Sequence, residues 1–240
     1  MDFMVEVKNL SFSYKEITVL KNVNFKIHRG DFFGIVGPNG SAKSTLIKLL
    51  LGLLKIQDGQ IFLMGRSIEK FNQWDKVGYI PQRVRNFNRS FPATVEEIIG
   101  ANLYHKMGLL KFLSSEDRKK ISQVLRIVDM EGSQKKLIGS LSGGQQQKVF
   151  IARTLVNKPE IIFMDEPLVG IDQLSREMFY KLMLDLKEEG NITIVMVSHD
   201  LDGIIQHTSR IACLGKQGVK VYNKNSFNKT IYVDKIRDFR

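Results

Sequence analysis

The chain has 240 residues, of which 43% are hydrophobic and 25% are charged, proportions typical of an ordinary globular protein with ample core. A formal net charge of +11 leaves nucleic acid or an anionic membrane surface open as partners, but the lysines are scattered, which favours a solvated basic surface. The single cysteine, Cys213, excludes an internal disulfide and fits a reducing cytoplasm. No apolar run reaches the ~18 residues of a membrane span, and no signal segment opens the chain, so we expect a soluble protein whose membrane role, if any, is by docking.

The N-terminal region is predicted to be β structure. Apolar residues alternate with polar ones over 3–14 and again over 19–27, which predicts two half-buried strands. Tyr14 stands at the end of the first strand, where its ring could stack on a base. Most aromatics in such positions are only core or surface residues, so both interpretations stay open for Tyr14.

The next stretch predicts a phosphate-binding loop. Residues 32–36 form a short apolar strand, a glycine-rich loop follows, and from Lys43 apolar residues recur at helical spacing. Backbone N–H groups of such a loop and the helix N-terminus point at anionic oxygens, while the lysine reaches the β- and γ-phosphates and Ser44 can bind Mg²⁺. A strand–turn–helix without a ligand is the alternative. The candidate loop consists of Gly37, Pro38, Asn39, Gly40, Ser41, Ala42, Lys43, Ser44 and Thr45.

Ala42 departs from the phosphate-loop pattern G-x-x-x-x-G-K-[ST], which has glycine immediately before the lysine. An alanine fits there if its φ angle is negative and if the phosphate clears one methyl group. Because Lys43, Ser44 and the two glycines of a later motif are intact, we expect the alanine to be tolerated.

The middle of the chain changes character. Residues 77–80 predict a short buried strand followed by Gln82, and residues 83–156 are mainly helical in pattern. Thr94 begins a capping signature with a glutamate three residues later, and Ser115 begins a second predicted helix. We therefore predict a mostly helical insertion in an α/β core.

Two adjacent glycines precede a helix at the end of this insertion, in the stretch Leu141-Ser142-Gly143-Gly144-Gln145. Free N–H groups at a helix start can bind an anion. The simpler interpretation is a helix capped by Ser142 with a flexible approach.

Polar residues follow two further buried strands. The strand that runs to residue 165 ends in Asp165 and Glu166, and the strand over 192–197 is followed by His199. The carboxyl ends of strands are where open α/β sheets bind ligands. Asp165 suits Mg²⁺ and Glu166 a base that polarises water. Turn acids and a structural histidine are the alternatives.

The order of these motifs resembles the nucleotide-binding subunit of ABC transporters over almost the whole chain, and residues 141–145 match that family's signature without change. The resemblance implies an α/β fold, a P-loop NTPase core with an N-terminal antiparallel β subdomain and a helical insertion. It implies one ATPase domain over 1–240, with 1–82 and 157–240 as core and 83–156 as the helical subdomain.

The same resemblance implies roles residue by residue. Tyr14 resembles the adenine-stacking residue. Leu168 to Asp172 occupy the position of the family's D-loop, but their sequence differs from the family's pattern. ATP would lie between the phosphate loop of one copy and Ser142, Gly143, Gly144 and Gln145 of a second. The catalytic residues would be Glu166, His199 and Gln82, and the Mg²⁺ ligands Ser44, Gln82 and Asp165.

The implied partners are membrane permease subunits, a second copy in a head-to-tail ATP sandwich, and an extracytoplasmic solute-binding protein, with the subunit peripheral on the cytoplasmic face of the membrane. Phe91-Pro92-Ala93-Thr94-Val95 is similar to a segment of zinc and manganese uptake ATPases. An ATPase for cell division or lipoprotein export would carry the same motifs. A nucleic-acid ATPase would suit the charge but usually needs a second ATPase unit or a coiled coil, so no nucleic acid is expected.

Residues 83–100 are predicted to dock the permease, because they join Gln82 to the helical insertion without a core pattern. Interleaved arginines and aromatics are common at interface hot spots. A basic surface loop is the alternative. The residues expected to be exposed are Arg83, Arg85, Phe87, Arg89 and Phe91.

Overall fold

The computed structural model describes residues 3–82, 91–106, 113–215 and 218–237. Within these ranges the strands are β1 (Phe3–Tyr14), β2 (Ile17–His28), β3 (Phe32–Val36), β4 (Asp58–Leu63), β5 (Arg66–Ser67), β6 (Val77–Ile80), β7 (Ile161–Asp165), β8 (Thr193–Val197), β9 (Arg210–Gly215) and β10 (Gly218–Asn223). The α-helices are α1 (Lys43–Leu50), α2 (Val95–Gly100), α3 (Ser115–Ile127), α4 (Gly143–Leu155), α5 (Gln173–Glu188), α6 (Leu201–His207) and α7 (Lys229–Arg237).

The strands form two sheets. An antiparallel sheet has the order β2-β1-β4-β5, and a second sheet has the order β10-β9-β3-β8-β7-β6. All neighbours in the second sheet are parallel except β10, which pairs antiparallel with β9. Strands β3, β7 and β8 are buried along their whole length, as central parallel strands with both faces covered must be. This confirms the predicted α/β fold with an N-terminal antiparallel region.

The parallel sheet separates two apolar cores, because successive side chains of a strand point to opposite faces. Phe33 and Ile35 pack with α1 and the antiparallel sheet. Phe32 and Val36, from the same strand, pack with the helices on the other face. The layers are therefore the antiparallel sheet, α1, the parallel sheet and the remaining helices.

Helices α2, α3 and α4 pack against one another through buried Val95, Ile121 and Val149. Each begins with a capping box, in which a serine or threonine and the residue three positions later bond each other's backbone N–H. The predicted starts near residues 95 and 115 are thus confirmed, whereas residues 83–90 and 107–112 of the predicted insertion lie outside the described residues. Buried Glu96 of α2 forms salt bridges with Arg118 of α3 and with Lys135 of the loop that follows α3, and so links these segments.

The amphipathic pattern of residues 177–189 predicts a helix. Helix α5 begins earlier, at Gln173, because the Asp172 side chain caps it by accepting a hydrogen bond from the Ser175 N–H at 3.0 Å. Helix α6 has no counterpart among the predicted elements. The sequence from Asn223 on is polar and basic and predicts no helix, yet it contains helix α7, preceded by Phe227, which is buried. Within the described ranges, none of the helices combines the length and apolarity that crossing a bilayer requires.

Candidate active site

The phosphate-loop, acid, glutamine and histidine residues of the predicted site follow four neighbouring strands at one edge of the parallel sheet. In the register, Val197 of β8 lies opposite both Ile35 of β3 and Asp165 of β7, and Ile80 of β6 lies opposite Met164. The phosphate loop, His199, Glu166 and Gln82 follow these strand ends. The histidine-bearing strand β8 and the acid-bearing strand β7 are therefore neighbours, which brings His199 and Glu166 to the same edge of the sheet.

Lys43 begins helix α1 and turns back into the loop that precedes it. Its Nζ donates hydrogen bonds to the carbonyl oxygens of Gly37 and Pro38, both at 2.9 Å. Burial lowers the pKa of Lys43, while the charges of Glu166 and Asp165 oppose that shift. The ammonium therefore sits inside the loop, where a phosphate oxygen would be a stronger partner than a carbonyl.

The loop offers donors and space to an anion. Lys43, Ser44 and Thr45 are the first residues of α1, so their N–H groups have no acceptor within the helix. Gly40 has φ 81°, and no described atom lies within 4 Å of the position where a Cβ would stand. The buried Ser41 hydroxyl has no hydrogen-bond partner among the described residues, while Asn39 is exposed. These features fit a phosphate group.

Ala42 adopts a left-handed conformation, with φ 65° and ψ 24°. The expectation that an alanine at position 42 has a negative φ angle is therefore wrong. The chain turns at this residue from the loop into α1, and the first hydrogen bond of that helix runs from the Leu46 N–H to the Ala42 carbonyl. A side chain in this region is strained. The methyl group itself packs against the apolar core between the two sheets.

Ser44 and Asp165 form a pair of oxygen ligands. The Ser44 hydroxyl donates to Asp165 Oδ1 at 3.1 Å. Burial raises the pKa of Asp165 and the neighbouring charge of Glu166 adds to the effect, against the Ser44 hydrogen bond. A hydroxyl and a carboxylate held side by side are the donors that a hard cation such as Mg²⁺ takes.

Two predicted residues, Gln82 and His199, converge on Glu166. Its Oε2 accepts a hydrogen bond from Gln82 Nε2 at 2.8 Å, and its Oε1 lies 2.5 Å from His199 Nε2. The Glu166 backbone has φ 51° and is held by a hydrogen bond from its N–H to the Val197 carbonyl. Left-handed conformations of side-chain-bearing residues cluster at active sites, where neighbouring contacts enforce them.

Tyr14 lies beside the phosphate loop although it belongs to the other sheet. Its hydroxyl is 3.4 Å from Thr45 Oγ1, and 46% of the residue is exposed. Phe12 meets the ring edge-on, with ring centroids 5.0 Å apart. The placement leaves ring surface available to a planar base next to the loop.

The Ser142–Gln145 motif stands apart from these residues. Ser142 caps α4, and Gln145 returns a hydrogen bond to the Ser142 N–H at 3.0 Å. Beside it is a cavity of about 240 Å³, and beside Glu166 and His199 one of about 190 Å³, and the two share no lining residue. No described atom lies within 4 Å of a Cβ built on Gly143, so packing within this chain does not require that glycine.

Sequence reasoning missed one residue that joins these two regions. Buried Gln147, in helix α4, donates a hydrogen bond to the Pro167 carbonyl at 2.7 Å, one residue beyond Glu166. The available signal was the run of glutamines after Gly144, which is unusual on a buried helix face.

In the predicted D-loop, Leu168 and Ile171 are buried, whereas Val169 is 53% exposed.

Comparisons with known proteins agree with this geometry. The ABC transporter family matches residues 20–169. The chain is 41% identical over 217 residues to the zinc uptake system ATP-binding protein ZurA of Listeria innocua, a match that covers 90% of this chain and 84% of the relative. It is 37% identical over 213 residues to the manganese transport system ATP-binding protein MntB of Listeria monocytogenes, covering 89% and 87%.

A solved structure, the dimeric form of the bacterial ABC transporter cassette MJ0796, has a TM-score of 0.79 and 31% identity to this chain. The match covers 93% of this chain and 100% of that one.

Proposed function

The chain belongs to the ABC transporter family of ATPases, and from this premise we propose that it powers an importer of zinc or manganese ions. The names of two relatives, 41% and 37% identical, support this substrate class. The observation that carries the catalytic proposal is the convergence of Gln82 and His199 on Glu166, beside the phosphate loop.

The phosphate loop, Gly37 to Thr45, would hold the phosphates of ATP. Lys43 would exchange its bonds to the loop carbonyls for phosphate oxygens, and Tyr14 would stack on the adenine. Ser44, Asp165 and Gln82 would hold Mg²⁺, which when bound supplies positive charge that neutralises the phosphates.

Glu166 would orient and polarise the attacking water. Each oxygen of a carboxylate accepts more than one hydrogen bond, so Glu166 can bind a water while Gln82 and His199 remain in place. His199 would contact the γ-phosphate. The chemistry asked of these side chains is positioning and charge neutralisation, which is the main requirement of phosphoryl transfer.

A second copy of the chain would complete each site. Ser142, Gly144 and Gln145 line a cavity that shares no residue with the one at Glu166, and Gly143 belongs to the same turn. In a head-to-tail dimer they would face the ATP of the partner copy, and the glycines would allow its close approach. The dimeric relative supports such an assembly.

The remaining partners follow from the transporter assignment. We propose permease subunits that receive the closing motion, a solute-binding protein in the same system, and a peripheral position on the cytoplasmic face of the membrane. The division into a core over 1–82 and 157–240 and a helical subdomain over 83–156 is part of the same proposal.

The test of this function is the variant Glu166→Gln in the full chain. We expect ATP turnover to fall by about 10² or more, because a general base contributes on that order, while ATP binding is retained. Size-exclusion chromatography with ATP and Mg²⁺ should then show a trapped dimer. Glu69→Gln, which alters an exposed glutamate outside the site, should behave like the unmodified protein. Near-normal ATP hydrolysis by Glu166→Gln would contradict the role proposed for Glu166.

A further inference from the structure

Tyr180 is a buried tyrosine of helix α5 that no motif singled out. Only 2% of it is exposed, yet its hydroxyl is not left in an apolar environment. The hydroxyl donates a hydrogen bond to Asp200 Oδ2 at 3.3 Å. Tyr180 therefore contacts the residue that directly follows His199.

Ser198 and Asp200 build the turn that presents His199. The Asp200 N–H donates to Ser198 Oγ at 3.0 Å, and Asp200 Oδ1 accepts from the Gly203 N–H at 3.1 Å, which caps helix α6. The Ser198 N–H bonds the Ile35 carbonyl of strand β3. The backbone at His199 is thus tied to β3 before it and to α6 after it.

The packing around Tyr180 requires a close approach of α5 and α6. A Cβ built on Gly203 would lie 2.3 Å from the Tyr180 hydroxyl oxygen, so only glycine admits the tyrosine there. The ring of His207, at the other end of α6, stacks on Tyr180 with centroids 4.5 Å apart. Burial and the charge of Asp200 raise the pKa of Tyr180, so the hydroxyl stays a donor.

We propose that Tyr180 is a positioning residue for His199: its hydroxyl fixes the Ser198–Asp200 turn so that the imidazole meets Glu166 and the γ-phosphate. This inference rests on the proposed role of His199. A core tyrosine without this role would need only its ring, which packs against Phe32 and Phe179. The hydroxyl, by contrast, donates its hydrogen bond to Asp200, in the turn that carries His199.

The experiment compares Tyr180→Phe with the unmodified full chain in steady-state ATP hydrolysis with Mg²⁺. The phenylalanine keeps the ring and its packing and removes only the hydroxyl. We expect kcat to fall by about tenfold, because small misplacements of a positioned group slow catalysis strongly, while KM for ATP stays within about twofold. Thermal unfolding should show that the variant folds. The control Tyr222→Phe alters a partly buried tyrosine outside the site, on β10, and should change neither constant.

A parallel measurement on His199→Ala separates the two proposals. If His199→Ala hydrolyses ATP normally, the role proposed for His199 is wrong and the inference about Tyr180 falls with it. If His199→Ala is inactive and Tyr180→Phe keeps its kcat, only the inference about Tyr180 is overturned. The inference about Tyr180 would also be overturned if the fall in kcat came with an equally large rise in KM, or if Tyr222→Phe lowered kcat to the same extent.

Discussion

Ala42 is the residue at which sequence and conformation conflict most clearly. A left-handed alanine costs about 1 kcal/mol relative to glycine, and its φ of 65° places it in that region. We expect Ala42→Gly to raise the free energy of unfolding of the nucleotide-free chain by up to about 1 kcal/mol, as measured by urea denaturation, because the relief of strain exceeds the cost of the added flexibility of the unfolded chain. Because the methyl group packs toward the core and not into the loop, ATP affinity should change by less than about tenfold, or ~1.4 kcal/mol.

The matched control for this change is Ala101→Gly. Ala101 is exposed and right-handed, with φ −55°, so glycine gains no strain relief there and adds flexibility to the unfolded chain. It should destabilise the protein slightly. An Ala42→Gly variant that is no more stable than the parent, or an unmodified protein that binds ATP only after this substitution, would contradict the interpretation.

Strand β7 places the carboxyl group of Asp165 where its ionisation costs folding free energy. It is buried from end to end and delivers Asp165 into the protein, which raises the pKa of that carboxyl. An acid with a raised folded pKa stabilises the fold fully below its unfolded pKa, near 3.8, and this contribution is lost as pH rises through the folded pKa. Ionisation of Asp165 therefore costs folding free energy, and the carboxyl group is kept for function rather than stability.

We predict that Asp165→Asn melts higher than the unmodified protein at pH 7 without nucleotide, by a few degrees, since ~1 kcal/mol shifts Tm by about 2–4 °C at this size. The difference should vanish as pH falls and Asp165 takes up a proton. The variant should lose the extra stabilisation by ATP that depends on Mg²⁺. Asp185→Asn, on the exposed side of α5, should show none of these effects. A lower Tm for Asp165→Asn at pH 7 would refute the argument.

At the scale of the whole molecule, the proposed transporter role requires a surface through which the nucleotide state reaches a membrane partner. Within the proposed docking segment 83–100, residues 83–90 lie outside the described residues, and Val95 and Ile99 are buried in α2. Phe91 is 43% exposed. Among the described residues of the proposed docking segment, the exposed aromatic side chain is therefore Phe91, on the approach to α2.

We predict that replacing Phe87 and Phe91 by alanine leaves ATP binding intact and uncouples metal uptake, because each aromatic buried at such a contact contributes about 2 kcal/mol. The measurements are pull-down of the permease and uptake of zinc or manganese in cells. Ile17→Ala, which removes a 70% exposed apolar residue from β2, is the control. Survival of both pull-down and uptake in the double variant would exclude this segment as the coupling surface.

Local patterns in the sequence determined much of this protein. The glycine loop before Lys43, the capping signals at Thr94 and Ser142, and the apolar runs of β3, β7 and β8 each depend on residues close together in the chain. Short-range periodicity and capping need no partner from elsewhere, and so these elements and the order of the motifs could be predicted from sequence. The helices α6 and α7 escaped prediction because their stability comes from packing more than from local pattern.

Tertiary structure alone decided how the site is assembled. The contact between Gln82 and Glu166 joins residues 84 positions apart, and the left-handed φ of Ala42 follows from where the loop must meet α1. The hydrogen bond from Tyr180 to Asp200 joins two helices whose approach depends on Gly203. Such distances and angles are set by strand register and helix packing, which involve many distant residues at once, and a pattern read along the chain does not contain them.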